Sequence, residues 1–270
     1  MAKRVAIPGA MFNVEDVGQG TPILFVHGFP LDHTMWRHQI ADLPSDFRCI
    51  APDLRGFGQS TVSEGTVTME QFADDLAALL DALHVTEPIV FCGHSMGGYI
   101  AWQFAHRHAD RVKGLILCDT RAVPDTPEAA ANRLKLADDV LQHGSELVAN
   151  AMLPRLFVPS TEQTRPVLLD EIRQVIIATN RQGIAAASRG MAERADARPW
   201  LSSISVPSLV LVGEHDAIST AAEMRVLASM IPSARFDVVP NAGHMAPLEN
   251  SISANVSIRR EIERWSLRDE

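Results

Sequence analysis

Ser95 lies in Gly93-His94-Ser95-Met96-Gly97, with a further glycine at position 98. The pattern is Gly-x-Ser-x-Gly, and its flanks matter as much as the pentapeptide. The apolar run Ile89–Gly93 leads into it, and Ile100, Ala101, Phe104 and Ala105 follow at helical spacing. So tight a turn from strand to helix imposes unusual backbone angles on the serine, and glycines on either side remove β-carbons that would collide. The hydroxyl is thereby raised above a sheet edge, at a helix N-terminus that favours developing negative charge.

A serine hydroxyl is a poor nucleophile near neutral pH and needs a base. The chain has ten histidines, so context must choose among them. His244 lies in Asn241-Ala242-Gly243-His244-Met245-Ala246-Pro247, just past the apolar run Phe236–Val239. Loops at the C-terminal edge of an open α/β sheet are where ligand chemistry collects. The imidazole in turn needs a carboxylate to hold its tautomer and stabilise its protonated form. Asp216 follows the run Leu209–Val212 and is the expected partner. Asp119, after the run Val112–Cys118, is the competitor from the neighbouring strand, and Glu214 carries little weight. An acyl-transfer site also needs donors for a tetrahedral oxyanion. The backbone N–H groups of Met96, next to the serine, and of Phe29, in His27-Gly28-Phe29-Pro30, are the expected pair. Pro30 has no N–H and cannot serve. Other histidines take ordinary readings: His94 packs in the elbow, His215 is incidental, and the i, i+2 spacing of His106 and His108 puts them on different faces of a helix, against a metal pair.

These residues need a scaffold that brings several strand ends to one rim. Six near-continuously apolar runs, Ile23–His27, Phe47–Ala51, Ile89–Gly93, Val112–Cys118, Leu209–Val212 and Phe236–Val239, read as strands covered on both faces. Val5–Ile7 and Met11–Val17, around Pro8-Gly9, predict an edge hairpin. Helices are predicted from Met69 to Leu83, opened by a Thr68/Gln71 capping box, just after Ser95, from Ser219 to Met230, and from Ser251 to Trp265. The alternation implies an α/β fold, a doubly wound, mostly parallel sheet. It breaks after the sixth strand. There the sequence predicts only helices: Pro127 to His143, capped by Thr126 and stopped by Gly144, then Pro166 to Thr179 and Gly183 to Glu193. The expected organisation is a core of residues 1–120 and 200–270 with a helical lid, residues 121–199, over the strands' C-terminal edge. Met152, Leu153, Leu156, Phe157 and Val158 form an apolar patch in it, either lid core or pocket roof.

Composition agrees with one well-filled core: 270 residues, 46% hydrophobic and 21% charged, with a net charge of −9. No basic run suggests nucleic acid, and no apolar segment approaches the length of a membrane span. Cys49, Cys92 and Cys118 sit in or beside apolar runs and read as buried, reduced thiols. The N-terminus has no apolar stretch of signal-peptide length, so a cytoplasmic setting is expected.

Ser95, Asp216 and His244, in the chain order nucleophile, acid, histidine, resemble the α/β-hydrolase superfamily. So does Pro52-Asp53-Leu54-Arg55-Gly56-Phe57-Gly58-Gln59-Ser60, which looks like that family's loop after the second parallel strand, with Asp53 and Arg55 structural. The resemblance covers about residues 11 to 266. It is nearest to small bacterial carboxylesterases and 3-oxoadipate enol-lactonase-like proteins, with non-haem haloperoxidases further off. Haloalkane dehalogenases and many epoxide hydrolases place an aspartate where Ser95 stands. The expectation is a serine esterase acting on a small-molecule ester of short to medium acyl chain, with no metal or organic cofactor. The alternatives are enol-lactone hydrolysis by the same groups, with perhydrolysis as a side activity, and a ligand-binding protein of this fold that barely turns over.

Overall fold

The computed structural model describes residues 2–43 and 47–266. Met1 and residues 267–270, at the ends of the expected core ranges, lie outside the described residues. Among the described residues eight strands form one sheet: β1 (Lys3–Ile7), β2 (Ala10–Val17), β3 (Thr21–Val26), β4 (Phe47–Pro52), β5 (Ile89–His94), β6 (Val112–Cys118), β7 (Ser208–Gly213) and β8 (Ala234–Val239). Their order is β1-β2-β4-β3-β5-β6-β7-β8. Only β1/β2 and β2/β4 pair antiparallel; every other pair is parallel. The hairpin turns at Pro8-Gly9, as its sequence indicates, with Gly9 at φ 74°.

The central strands are buried along their length because helices cover both faces. Ile23, Leu24, Phe25, Val26, Val90, Phe91, Ile116, Leu117, Val210 and Leu211 are all fully buried. Each such side chain contributes about 1.5–3 kcal/mol on leaving water. The covering helices include α1 (Arg37–Asp42), α2 (Met69–Ala82) and α3 (Met96–Arg107), with α2 packed on α3. Thr68 Oγ1 accepts the Gln71 N–H at 3.2 Å. The Gln71 side chain, however, donates to Asp75 rather than back to Thr68, so only half of the expected capping box forms.

Between β6 and β7 the chain forms six helices where spacing predicts three. They are α4 (Pro127–His143), α5 (Glu146–Leu156), α6 (Pro159–Thr164), α7 (Pro166–Ala178), α8 (Arg181–Ala192) and α9 (Arg198–Leu201). Prolines explain the difference. Pro159 starts α6 as its first residue, where proline's missing N–H is no loss. Pro154 sits late inside α5, near its last turn. Helix α4 packs on α8, and α5 on α7. Leu156, Ile172, Ile176, Ile184 and Met191 from these helices join the same apolar cluster as the sheet.

After β7 come α10 (Ala221–Ser229), α11 (Ala246–Glu249) and α12 (Ser251–Ser266). Helix α10 carries a complete capping box between Thr220 and Glu223. The three cysteines are free and buried, and burial pushes the Cys49 thiol up to about 12. Among the described residues no helix is long and apolar enough to cross a membrane.

Candidate active site

The sheet register brings the ends of four neighbouring parallel strands level. His94 stands opposite Cys118, Cys118 opposite Leu211, and Gly213 opposite Val239. The hydrogen-bond ladder continues past the strands. Ser95 N–H donates to Cys118 C=O, Asp119 N–H to Leu211 C=O and Glu214 N–H to Val239 C=O, each at 2.9 Å. Residues following β5, β6, β7 and β8 therefore share one rim.

Ser95 adopts φ 52°, ψ −109° between β5 and α3, a conformation that non-glycine residues avoid. A β-carbon on Gly93 would lie 2.4 Å from the Gly97 carbonyl oxygen, and one on Gly97 would lie 2.2 Å from that of Val26. Both obstacles are main-chain atoms, one of α3 and one of β3, so the two glycines are steric requirements of the elbow. Thr120 Oγ1 donates to the Ser95 carbonyl at 2.7 Å, a fixing contact for which the sequence carries no signal.

The structure brings Ser95, His244 and Asp216 together. His244 Nε2 lies 2.9 Å from Ser95 Oγ, and Nδ1 lies 2.8 Å from Asp216 Oδ2. Asp216 Oδ1 accepts the Ile218 and Ser219 N–H groups at 2.7 and 3.0 Å. Burial opposes ionisation of Asp216, but the His244 hydrogen bond and charge and these two amides outweigh it, holding the carboxyl below its ordinary value. With Nδ1–H donated to Asp216, Nε2 is free to accept the serine proton.

Asp119 shares the neighbourhood without touching the ring. Its Oδ1 accepts the Gly213 N–H at 2.8 Å, and its Oδ2 has no hydrogen bond among the described residues. Burial, and then the negative charge of Asp216, raise its carboxyl well above the ordinary range. Glu214, the third acid weighed from sequence, is exposed and accepts the Asn241 N–H.

The 27–29 loop packs against the elbow. His27 is fully buried, and its Nε2 accepts the Leu54 N–H at 2.9 Å, a clasp that spacing does not reveal. Gly28 C=O accepts the Leu31 N–H at 3.0 Å, turning the chain, and the Phe29 ring meets Phe57 edge-on at 6.3 Å. Met96 is the first residue of α3, where an N–H has no acceptor in its own helix.

The remaining sequence readings find definite places. His94 Nε2–H donates to the His244 carbonyl at 2.7 Å. Burial, reinforced by the charge of His244, pushes the His94 ring down to about 3, so it stays neutral. Asp53 accepts from Asn13 Nδ2, the Gln59 N–H and His33, while Arg55 makes a paired contact with Asp75 at 2.6 Å. His106 stacks on Trp200 and His108 contacts Asp74. His215 is exposed beside Glu214. In the apolar patch, Leu156, Phe157 and Val158 are buried, while Met152 and Leu153 are partly so.

Comparison with known proteins agrees with this frame. A family model described as the alpha/beta hydrolase fold matches residues 21–251. The structure superposes on a thermophilic esterase from Thermogutta terrifontis, solved with malate bound, with a TM-score of 0.95 and 46% identity, covering 98% of this chain and 99% of that one. An enol-lactonase from Burkholderia xenovorans gives a TM-score of 0.90 at 32% identity, covering 97% and 100%. In sequence, 3-oxoadipate enol-lactonase 1 of Acinetobacter baylyi is 33% identical over 84% of this chain and 83% of its own length. With the matched span running from the third strand through the histidine loop, the chain belongs to the α/β-hydrolase family.

Proposed function

We propose that the protein hydrolyses carboxylic esters of small molecules through an acyl-enzyme on Ser95. The observation that carries this reading is the unbroken chain Ser95 Oγ–His244 Nε2–Asp216 Oδ2, at 2.9 and 2.8 Å. Ser95 attacks the ester carbonyl as His244 takes its proton. The Met96 and Phe29 N–H groups hold the oxyanion. The tetrahedral intermediate collapses, His244 gives its proton to the leaving alkoxide, and the acyl group stays on Ser95. Water then attacks, losing a proton to His244, which returns it to Ser95 as the carboxylic acid departs. Every proton passes through one imidazole, and the scheme needs neither metal nor organic cofactor. In this reading residues 121–199 form a lid over a core of residues 1–120 and 200–270, and the substrate carries a short to medium acyl chain. A soluble, cytoplasmic enzyme with no nucleic-acid or membrane partner fits the composition.

A second reading is hydrolysis of an enol-lactone by the same groups, favoured by the enol-lactonase relatives. Arg121 to Arg198 contain nine Arg and one Lys against ten Asp and Glu, so the helical segment neither repels an anionic lactone nor recruits one. The test is a panel of p-nitrophenyl esters from acetate to long acyl chains, together with a carboxylate-bearing lactone, against the wild type and Ser95→Ala. Ester turnover abolished in Ser95→Ala supports the mechanism, whereas undiminished turnover in that variant sinks it. A preference for the lactone selects the second reading. No turnover and no fluorophosphonate adduct at Ser95 would mark a binding protein.

A further inference from the structure

We infer that Glu249 is a positioning residue that ties the His244 loop to the α5–α6 segment and so sets where the imidazole stands. The inference rests on the esterase reading above. Glu249 ends α11, and its side chain is buried. Its Oε2 accepts the Gly243 N–H at 2.6 Å. Its Oε1 accepts the Val158 N–H at 3.0 Å and the Thr161 hydroxyl. One carboxylate thus bridges the residue before His244 and the turn between α5 and α6. Charge-assisted bonds of this kind are stronger than neutral ones, and a buried carboxylate accepting several donors has few other places to go.

The neighbouring contacts make the bridge specific to the histidine. Met245 N–H donates to the Leu156 carbonyl at 3.1 Å, and the His244 carbonyl accepts from His94 at 2.7 Å. Residues 243, 244 and 245 are therefore each held, residue 245 directly by the helical segment and residue 243 through Glu249. A β-carbon on Gly243 would lie 3.0 Å from the Leu156 carbonyl oxygen, so the two backbones are already in contact. Arg165 Nη1 donates to the Glu249 carbonyl, adding a second tie from the same segment. A shift of the α5–α6 turn would carry the Gly243 amide, and with it the imidazole, relative to Ser95.

Glu249→Gln keeps the shape but has one carbonyl oxygen for two sets of donors. Its NH₂ must face either the Gly243 N–H or the Val158 N–H. The experiment compares kcat/KM for a p-nitrophenyl ester and an ethyl ester of the same acyl group, per active site titrated with a fluorophosphonate. A p-nitrophenolate leaves unaided, whereas ethoxide needs the proton from His244. Displacement of the imidazole should therefore cost the ethyl ester roughly tenfold more than the aryl ester in Glu249→Gln. A merely unstable variant loses titratable sites but keeps both activities per active site. Thr161→Val removes one donor on the far side of the bridge and should shift the ratio in the same direction by less; it serves alone if Glu249→Gln does not fold. An unchanged ratio in a variant that folds, with the wild type active on both esters, overturns this inference and leaves the esterase reading standing. A wild type inert to both esters overturns the two together.

Discussion

Asp119 and Asp216 stand side by side behind the imidazole of His244, with one oxygen of each within 4.8 Å of the other and of the ring, yet only Asp216 bonds to it. Two buried carboxyls so close cannot both ionise cheaply, and the environment separates them. Asp216 receives two backbone amides and the ring N–H, while Asp119 receives one amide. One carboxyl is held ionised and the other is pushed towards its neutral form.

This division predicts opposite outcomes for two isosteric changes. Asp216→Asn presents an amide to His244 and should lower kcat about 10³–10⁴-fold, by favouring the wrong tautomer. Asp119→Asn mimics the neutral acid and should leave kcat within about threefold. Because the folded state raises the Asp119 pKa, it retains a proton that the unfolded chain has released above its ordinary value. The wild type therefore loses stability as pH rises from there, and Asp119→Asn should gain in melting temperature over wild type by more at pH 8 than at pH 5. Thermal scans at the two pH values, with esterase assays, check both.

The elbow, His244 and the two candidate acids were legible because each is a local event: glycines around a serine, or a polar residue just past an apolar strand. Asp119 was equally visible as a competitor. Spacing could not decide between them, since the decision lies in the amides of Ile218 and Ser219, which a loop conformation supplies. Helices α5 and α6 were hidden by prolines that sit at a first turn or a last one. The bonds made by Glu249 join residues up to 91 positions apart, and no periodicity encodes such a pairing. The strands were readable from burial alone, whereas the packing of the helical segment is a tertiary outcome.

His94 predicts a pH-dependent loss of stability. Its folded pKa is pushed down to about 3, so the unfolded chain binds the extra proton as pH falls below about 6.5. Stability is complete above that value and is lost progressively down to about pH 3, by on the order of 5 kcal/mol for this group alone. His94→Gln can still donate to the His244 carbonyl, and at pH 7 it should be less stable by about 1–2 kcal/mol. Its stability should fall less steeply than the wild type's between pH 6.5 and 4. Urea unfolding at several pH values measures the slopes, and parallel slopes would contradict the assignment.

Asp53 anchors the loop after β4 beneath the site. Burial resists its charge, but the His33 contact and the Gln59 and His33 amides overcome this and hold the carboxyl near 2. A depressed acid contributes stability that is present above the unfolded value near 4 and is lost as pH falls towards 2. The shift corresponds to about 2 kcal/mol. Asp53→Asn should therefore lower unfolding free energy at pH 7 by about 2 kcal/mol or more, because His33 also loses its partner. The difference from wild type should shrink as the pH is brought down towards 2. A difference that is constant from pH 7 to 3 would show that the charge is not what stabilises the loop.

Ser95 occupies a left-handed backbone position in the turn from β5 to α3. At φ 52° a β-carbon is unfavourable, and such residues cost on the order of 1–3 kcal/mol. Ser95→Ala removes the hydroxyl but keeps the β-carbon, whereas Ser95→Gly removes both. Each should abolish ester hydrolysis, since neither can form the acyl-enzyme, and each loses the same hydrogen bond to His244. The glycine variant should nevertheless be the more stable of the two by about 1 kcal/mol, even though glycine ordinarily destabilises a fold through the entropy of the unfolded chain. Denaturant midpoints for the two variants decide the matter: an alanine variant at least as stable as the glycine variant would mean that the elbow is not strained at Ser95, and that its geometry is set wholly by the close approach of Gly93 and Gly97 to their neighbours.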